Sequence, residues 1–287
     1  MAKAKKALLV GINDYAPVGP GGPDLRGCVN DVRDMAHTLN ALDIVPATSR
    51  SMQILTNERA TKRAIMEKFT WLLSGASAGD LLIFYYSGHG TQVPDVNGDE
   101  GDGIDEAICP HDVSLDNLIR DDDFRAALAN LPQGTNLDIL LDSCFSGTGT
   151  RNFSLFEPPE EKKVAYRYYE PPVDWSYFID ANPHVPRRRL VKTSVEKGSK
   201  DAVIVPGLNH VLWAACRNNQ TSAESQIDGS WRGAFTYYYC KALRRAGKTV
   251  TRRRLDSLVS ADIQRAGFAQ VPQLEGTAVS LGEKVFT

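Results

Sequence analysis

The sequence predicts an α/β protein whose mainly parallel sheet has about six strands, or slightly more, with helices on both faces. Three observations carry this. Apolar runs recur at 6–12, 81–86 and 137–141 without the polar alternation of a half-exposed strand. Segments with helical spacing of apolar residues separate them. The runs at 81–86 and 137–141 both stop abruptly in small and polar residues, as buried strands do where they reach a ligand-binding sheet edge.

Taken in order, residues 6–12 (KALLVGI) form the first central strand, closed by Gly and Asn-Asp. A Gly/Pro-rich loop follows. Residues 28–42 read as an amphipathic helix with Asn30 and Asp31 in its first turn. A short strand (51–56) and a helix (61–74, with Ile65, Phe69 and Leu72 on one face) come next. Residues 80–90 (DLLIFYYSGHG) give a buried strand ended by Ser87-Gly88-His89-Gly90. The acidic stretch 95–123 reads as loop around a short strand near 107–110, and 121–131 as a helix. Residues 136–147 (NLDILLDSCFSG) form a strand whose interior apolar run is broken only by Asp138, and which delivers Cys144 at its C-terminal edge. From 151 to 207 the chain is rich in Pro and charge with little sustained period, and reads as a long surface insertion or linker with poor order in places. A strand (209–216), two helices (233–246 and 251–266) and a final segment of strand and coil complete the chain.

With 287 residues, 42% hydrophobic and 24% charged, the chain has an ordinary globular composition. A net charge of −2 gives no electrostatic case for nucleic acid or an anionic membrane. No stretch approaches a membrane span, and the N-terminal apolar run is too short for a signal peptide. A cytoplasmic monomer is expected, without a prodomain, since the first strand starts within a few residues of Met1. The five cysteines (Cys28, Cys109, Cys144, Cys216, Cys240) have no CxxC or Cys/His ligand spacing. This disfavours a disulfide framework or zinc site and fits a reducing compartment.

A thiol becomes a useful nucleophile when a base or a positive environment attends it. Cys144 sits among Ser143, Ser146 and Gly147, which suit an exposed turn; Cys109, Cys216 and Cys240 read as inert core residues. Among five histidines only His89 follows an apolar strand between glycines; His37 lies in a helix, His111 in the acidic loop, His184 in the insertion and His210 at a strand start. His89 and Cys144 are 55 positions apart, close to the interval of about 50 between a caspase histidine and its cysteine.

YSGHG at 86–90 and DSCFSG at 142–147 resemble the two signatures of the metacaspases, within the caspase-like clan of cysteine peptidases. GCVND at 27–31 resembles a third motif, and WAACRNNQTSAE followed by GAFTYYY extends the likeness over most of the chain. The resemblance implies a caspase-like fold in a single peptidase domain, 1–287. Its large segment, 1–150, carries the dyad; the insertion spans 151–207 and the small segment 208–287. It implies a dyad in which Cys144 attacks the peptide carbonyl and His89 moves protons. Backbone N–H groups of Gly90 and Cys144 would hold the oxyanion. Metacaspases cut after Arg or Lys, and their pocket maps onto Cys28, Asp31, Ser87 and Asp142. Two carboxylates there suit a guanidinium.

No cofactor is expected to be required. Asp121 and Asp122 resemble two of the calcium ligands found in many metacaspases, with Asp105 near a third. Arg151 stands where a further acid would be expected, and residues 95–103 lack the spacing and terminal Glu of an EF-hand, so the sequence leans against calcium. Arg187, Arg188, Arg189 and Lys192 in the insertion are candidates for self-cleavage. Three alternatives stand beside this reading. An Asn-directed relative is disfavoured by the two pocket acids, a non-enzymatic module by the intact dyad, and a calcium-binding regulator by Arg151. The expected partners are peptide or protein substrates with exposed Arg or Lys.

Overall fold

The computed structural model describes residues 3–16, 24–94, 104–114, 116–145, 164–169, 210–217 and 220–287. Six strands form the central sheet: β1 (Lys5–Gly11), β2 (Met52–Thr56), β3 (Leu81–Ser87), β7 (Asn136–Asp142), β9 (His210–Ala214) and β12 (Gln273–Glu275). Their spatial order is β12-β9-β7-β3-β1-β2. All neighbours pair in parallel except β12, which runs antiparallel to β9 at the edge.

Successive side chains of the central strands feed two separate cores, which is why these runs are apolar throughout rather than alternating. Leu8, Val10, Leu82, Phe84, Leu137 and Ile139 enter one core, with Ile65 and Phe69 of α2 (Lys62–Leu73) and Phe124 of α3 (Asp121–Leu128). Ala7, Leu9, Ile83, Tyr85 and Leu140 enter the other. There they meet α1 (Cys28–Ala41), α4 (Ala234–Ala246) and α5 (Arg252–Arg265). The two-sided α/β architecture is as expected.

The acidic region differs from the expectation. Rather than loop around one strand near 107–110, it contributes to a small antiparallel sheet of β4 (Gly90–Pro94), β5 (Ile104–Ile108) and β6 (Ile119–Arg120). Within the expected 151–207 insertion the described residues, 164–169, are ordered. β8 (Val164–Tyr166) is a strand, and it leads directly into the fully buried Arg167. β8 joins β10 (Ala223–Ile227) and β11 (Ser230–Gly233), two strands absent from the sequence reading, in a second antiparallel sheet. The C-terminus adds a short helix, α6 (Ala278–Gly282), where strand and coil alone were expected.

Asp138, the break in the β7 run, is fully buried and pairs with Arg252 of α5 at 3.0 Å. Burial pushes its carboxyl pKa up, and Arg252 opposes that shift. The first residue of α5 is thereby locked to the central strand. Removing one partner of a buried pair costs far more than replacing both by apolar groups. Arg252→Met is therefore expected to lower unfolding free energy by about 3–5 kcal/mol in urea titration. The Asp138→Leu/Arg252→Met double variant should recover most of that loss.

Candidate active site

The site forms where three parallel strands end at one level. In the sheet register Gly11 of β1 lies beside Ser87 of β3, and Ser87 beside Asp142 of β7. Two residues beyond Ser87 comes His89, and two beyond Asp142 comes Cys144. All four are buried. The identical offset follows from the parallel register.

His89 is fixed by its backbone. Its N–H donates to the Tyr15 hydroxyl at 2.7 Å, and its carbonyl accepts from the Tyr86 hydroxyl at 2.7 Å and from Cys109 N–H at 3.0 Å. The Tyr15 ring lies 4.9 Å from the imidazole, centroid to centroid. Tyr15, in a Gly/Pro-rich loop, carried no sequence signal for this role.

Cys144 Sγ lies against Ser222, receiving its N–H and standing 3.5 Å from its carbonyl oxygen. Cys216, expected to be inert, sits in the same cluster. A hydrogen bond with Cys144, then burial and neighbouring charge, raise its thiol pKa well above the ordinary range.

Between these two groups runs the chain's own segment 164–169. β8 pairs antiparallel with β10, with Tyr166 opposite Ala223, Ala165 opposite Glu224 and Val164 opposite Ser225. Arg167 N–H then donates to the Ser222 carbonyl at 3.2 Å. The Arg167 carbonyl oxygen accepts two backbone N–H groups, Gly90 at 3.0 Å and Cys144 at 3.3 Å. Past it, Tyr169 N–H donates to the Gly90 carbonyl at 2.9 Å, and the Tyr169 ring stands 6.5 Å from that of His89. A carbonyl held by two convergent N–H groups beside a thiol is the geometry that stabilises a tetrahedral oxyanion.

The Arg167 side chain enters a closed pocket. Nη2 donates to Asp31 at 2.6 Å and reaches Glu224 at 3.4 Å; Nη1 meets Asp142 Oδ1 at 3.0 Å, its carbonyl at 3.1 Å and Ser87 Oγ at 2.8 Å. Cys28, buried beside Ser87 and Asp31, completes the wall, and burial drives its thiol pKa upward. The structure thus brings together Cys28, Asp31, Ser87 and Asp142, and adds Glu224. Burial alone disfavours the guanidinium's charge, but Asp142, Cys28, Asp31 and Glu224 outweigh it and hold Arg167 protonated. Burial pushes the Asp31 carboxyl up to about 6 even with Arg167 against it.

Each carboxylate is also tied to the fold. Asp31 accepts Gly233 N–H at 2.9 Å. Asp142 accepts Thr236 N–H at 3.1 Å and Ser222 Oγ at 2.7 Å. Glu224 accepts Arg26 and Gly27 N–H at 2.8 and 3.0 Å, at the start of α1. Glu224 is the last residue of the WAACRNNQTSAE motif, so its position was visible although its role was not. An apolar cleft lined by Ile108, Phe124, Leu141, Leu212 and Cys216 opens nearby, but neither His89 nor Cys144 lines it.

The acids considered for calcium are committed to arginines. Asp105 pairs with Arg120 at 3.2 Å, and Asp121 and Asp122 both pair with Arg125, at 3.0 and 2.9 Å. Guanidinium groups among the carboxylates do not fit a divalent cation. Among the described residues no group of three or more His, Cys, Asp or Glu can hold a metal ion. Arg151 and the self-cleavage candidates Arg187, Arg188, Arg189 and Lys192 lie outside the described residues.

The family model for the metacaspase, peptidase C14 domain matches residues 5–151. The Metacaspase-1A of Aspergillus terreus is 31% identical over 289 residues, covering 94% of this chain and 70% of the relative. The Metacaspase-1 of Pyricularia oryzae is 31% identical over 291 residues, covering 94% and 71%. This chain belongs to the metacaspase family. It is a cysteine-type endopeptidase that hydrolyses peptide bonds in peptide or protein substrates. The fold is shared with a crystal structure of a Geobacter sulfurreducens protein, with a TM-score of 0.67 at 22% identity, covering 99% of this chain and 98% of that one. Among the described residues of this metacaspase no helix is long and apolar enough to cross a membrane.

Gly233 leaves room for the Arg167 guanidinium by having no side chain. A Cβ there would collide with Asp142 Oδ2 and stand 2.7 and 2.8 Å from the two terminal nitrogens of Arg167. Gly233→Ala is therefore expected to lower unfolding free energy by about 1–3 kcal/mol. Urea titration checks this, and unchanged stability would contradict the geometry of the pocket wall.

Proposed function

We propose that this metacaspase cleaves after Arg or Lys, with Arg preferred, using Cys144 as nucleophile and His89 as the proton carrier. The observation that carries this is Arg167. Its side chain is held by three buried carboxylates while its carbonyl oxygen accepts the N–H groups of Gly90 and Cys144. A residue with its charge in a selective pocket and its carbonyl beside a thiol stands as a substrate's cleaved residue would.

In this reading Cys144 Sγ attacks the carbonyl carbon, and Gly90 and Cys144 N–H stabilise the resulting oxyanion. One such donor is typically worth on the order of 3 kcal/mol of barrier. His89 protonates the leaving amine, and the thioester is then hydrolysed by water that His89 activates. Cys28, Asp31, Ser87, Asp142 and Glu224 form the specificity pocket. Both terminal guanidinium nitrogens find carboxylates on separate walls, which a planar fork reaches and a single lysine ammonium does not. This favours Arg over Lys. Segments 1–150 and 208–287 act as one domain, and the 151–207 insertion is where self-processing occurs.

The test is a comparison of fluorogenic peptides ending in Arg, Lys, Asp and Asn. Arg should be cleaved fastest and Asp not at all. Cys144→Ala and His89→Ala should each abolish turnover. Asp31→Asn, which truncates a buried charge pair, should lower kcat/KM for the Arg peptide roughly 30-fold or more. Faster cleavage after Asp or Asn, or full activity in Cys144→Ala, would contradict the assignment.

A further inference from the structure

We propose that Tyr15 is a positioning residue for the dyad, holding His89 where its imidazole delivers a proton to the leaving amine. The inference rests on the assignment of His89 as the proton carrier and adds the group that aims it. Tyr15 lies 74 positions before His89, in a loop whose Gly and Pro content gives no hint of a contact with the dyad.

Both backbone polar groups of His89 are gripped by a pair of buried phenols. Its N–H donates to the Tyr15 hydroxyl and its carbonyl accepts from the Tyr86 hydroxyl, each at 2.7 Å. The two phenol oxygens stand 3.4 Å apart. Tyr86 has one hydrogen, and it faces the carbonyls of His89 and Cys109, so the hydrogen between the phenols is donated by Tyr15. Burial raises both phenol pKa values well above the ordinary range, so both stay protonated and these bonds keep their direction at working pH. The Tyr15 ring lies 4.9 Å from the imidazole, tilted by 44°, and limits its swing about the Cα–Cβ bond. Gly88 makes room for the pair: a Cβ there would strike both hydroxyls.

Tyr15 is itself held by the framework around it. Ile12 N–H donates to the Ser87 carbonyl at 3.0 Å, which carries the end of β1 along β3. Asn57 Oδ1 accepts Asn13 N–H at 3.0 Å, Tyr15 N–H donates to Asp24 Oδ1 at 3.3 Å, and Ala16 N–H donates to the His111 carbonyl at 2.8 Å. In the reaction Cys144 Sγ bonds to the substrate carbonyl carbon and the C–N bond breaks. The amine departs with the proton that His89 took from the thiol. An amine must be protonated to leave, whereas a nitrophenol leaves as a stable anion. Misplacing a reacting group by about 1 Å can cost on the order of a hundredfold. A loosened His89 therefore slows amide cleavage more than ester cleavage.

The experiment compares Tyr15→Phe with wild type, both as the full chain, on two substrates of one arginyl sequence. One is a quenched peptide cut at an Arg–Gly bond, the other the p-nitrophenyl ester. Competent sites are counted by titration with an arginyl chloromethyl ketone, and a melting curve confirms folding. Per titrated site, kcat/KM for the amide should fall roughly tenfold or more, and for the ester less than about threefold. Tyr86→Phe should show the same selective loss, but smaller, because Cys109 N–H still holds the His89 carbonyl. Unchanged kcat/KM on both substrates, or equal losses on amide and ester, would reduce Tyr15 to a packing residue and overturn the inference while leaving the dyad standing. His89→Ala that cleaves the amide at the wild-type rate would overturn the dyad assignment and this inference with it.

Discussion

A guanidinium withdrawn from water is tolerable only where carboxylates meet it, and that constraint organises this molecule. Arg167 is fully buried, and so are Asp31, Asp142 and Glu224 around it. The converse also holds. Three carboxylates crowded into one desolvated pocket repel each other, and the cation among them offsets that repulsion. The pocket is therefore built around a positive occupant, and its walls come from distant parts of the chain. Asp31 lies in the first turn of α1, Asp142 ends β7, and Glu224 lies in β10, where it also caps the approach to α1 through Arg26 and Gly27 N–H. The carboxylates that hold Arg167 are the ones whose hydrogen bonds tie α1, β7 and β10 together.

The proposed dyad and the contacts to the Arg167 guanidinium share two strand ends. Ser87 and Asp142 are neighbours in the register and face the guanidinium; His89 and Cys144 follow each by two residues. Such economy demands close approach. A Cβ at Gly90 would strike the Cys144 carbonyl, and one at Gly233 would strike Asp142. The missing side chains at Gly90 and Gly233 allow these approaches, the second of them beside the Arg167 guanidinium.

The parts of this design visible in the sequence are those that local pattern encodes. The runs KALLVGI, LLIFYY and NLDILL are apolar throughout because both sheet faces are covered, and their abrupt ends marked His89 and Cys144. Asp138 was visible as an anomaly, but its partner Arg252 lies 114 residues away and no local signal connects them. The β10 strand AESQI is polar, though Ala223, Glu224 and Ser225 are all buried, because its partners are a guanidinium, backbone amides and the strand β8 rather than a hydrophobic core. Arg167 was the hardest to see. It sits in a Pro-rich, charged stretch whose composition reads as solvated, and its burial is justified only by Asp31, 136 positions earlier, and Glu224, 57 later.

Recognition of positive charge by the buried carboxylates is the claim on which the account turns. It is tested most directly by measuring kcat/KM for two peptides that differ only in carrying arginine or citrulline, its neutral near-isostere, at the cleaved position. The carboxylate pocket predicts a loss of at least about a hundredfold for citrulline, since each lost charge-assisted contact is worth roughly 1.5–3 kcal/mol. Cleavage of the two peptides at similar rates would show that shape rather than charge selects the substrate, and would contradict the account.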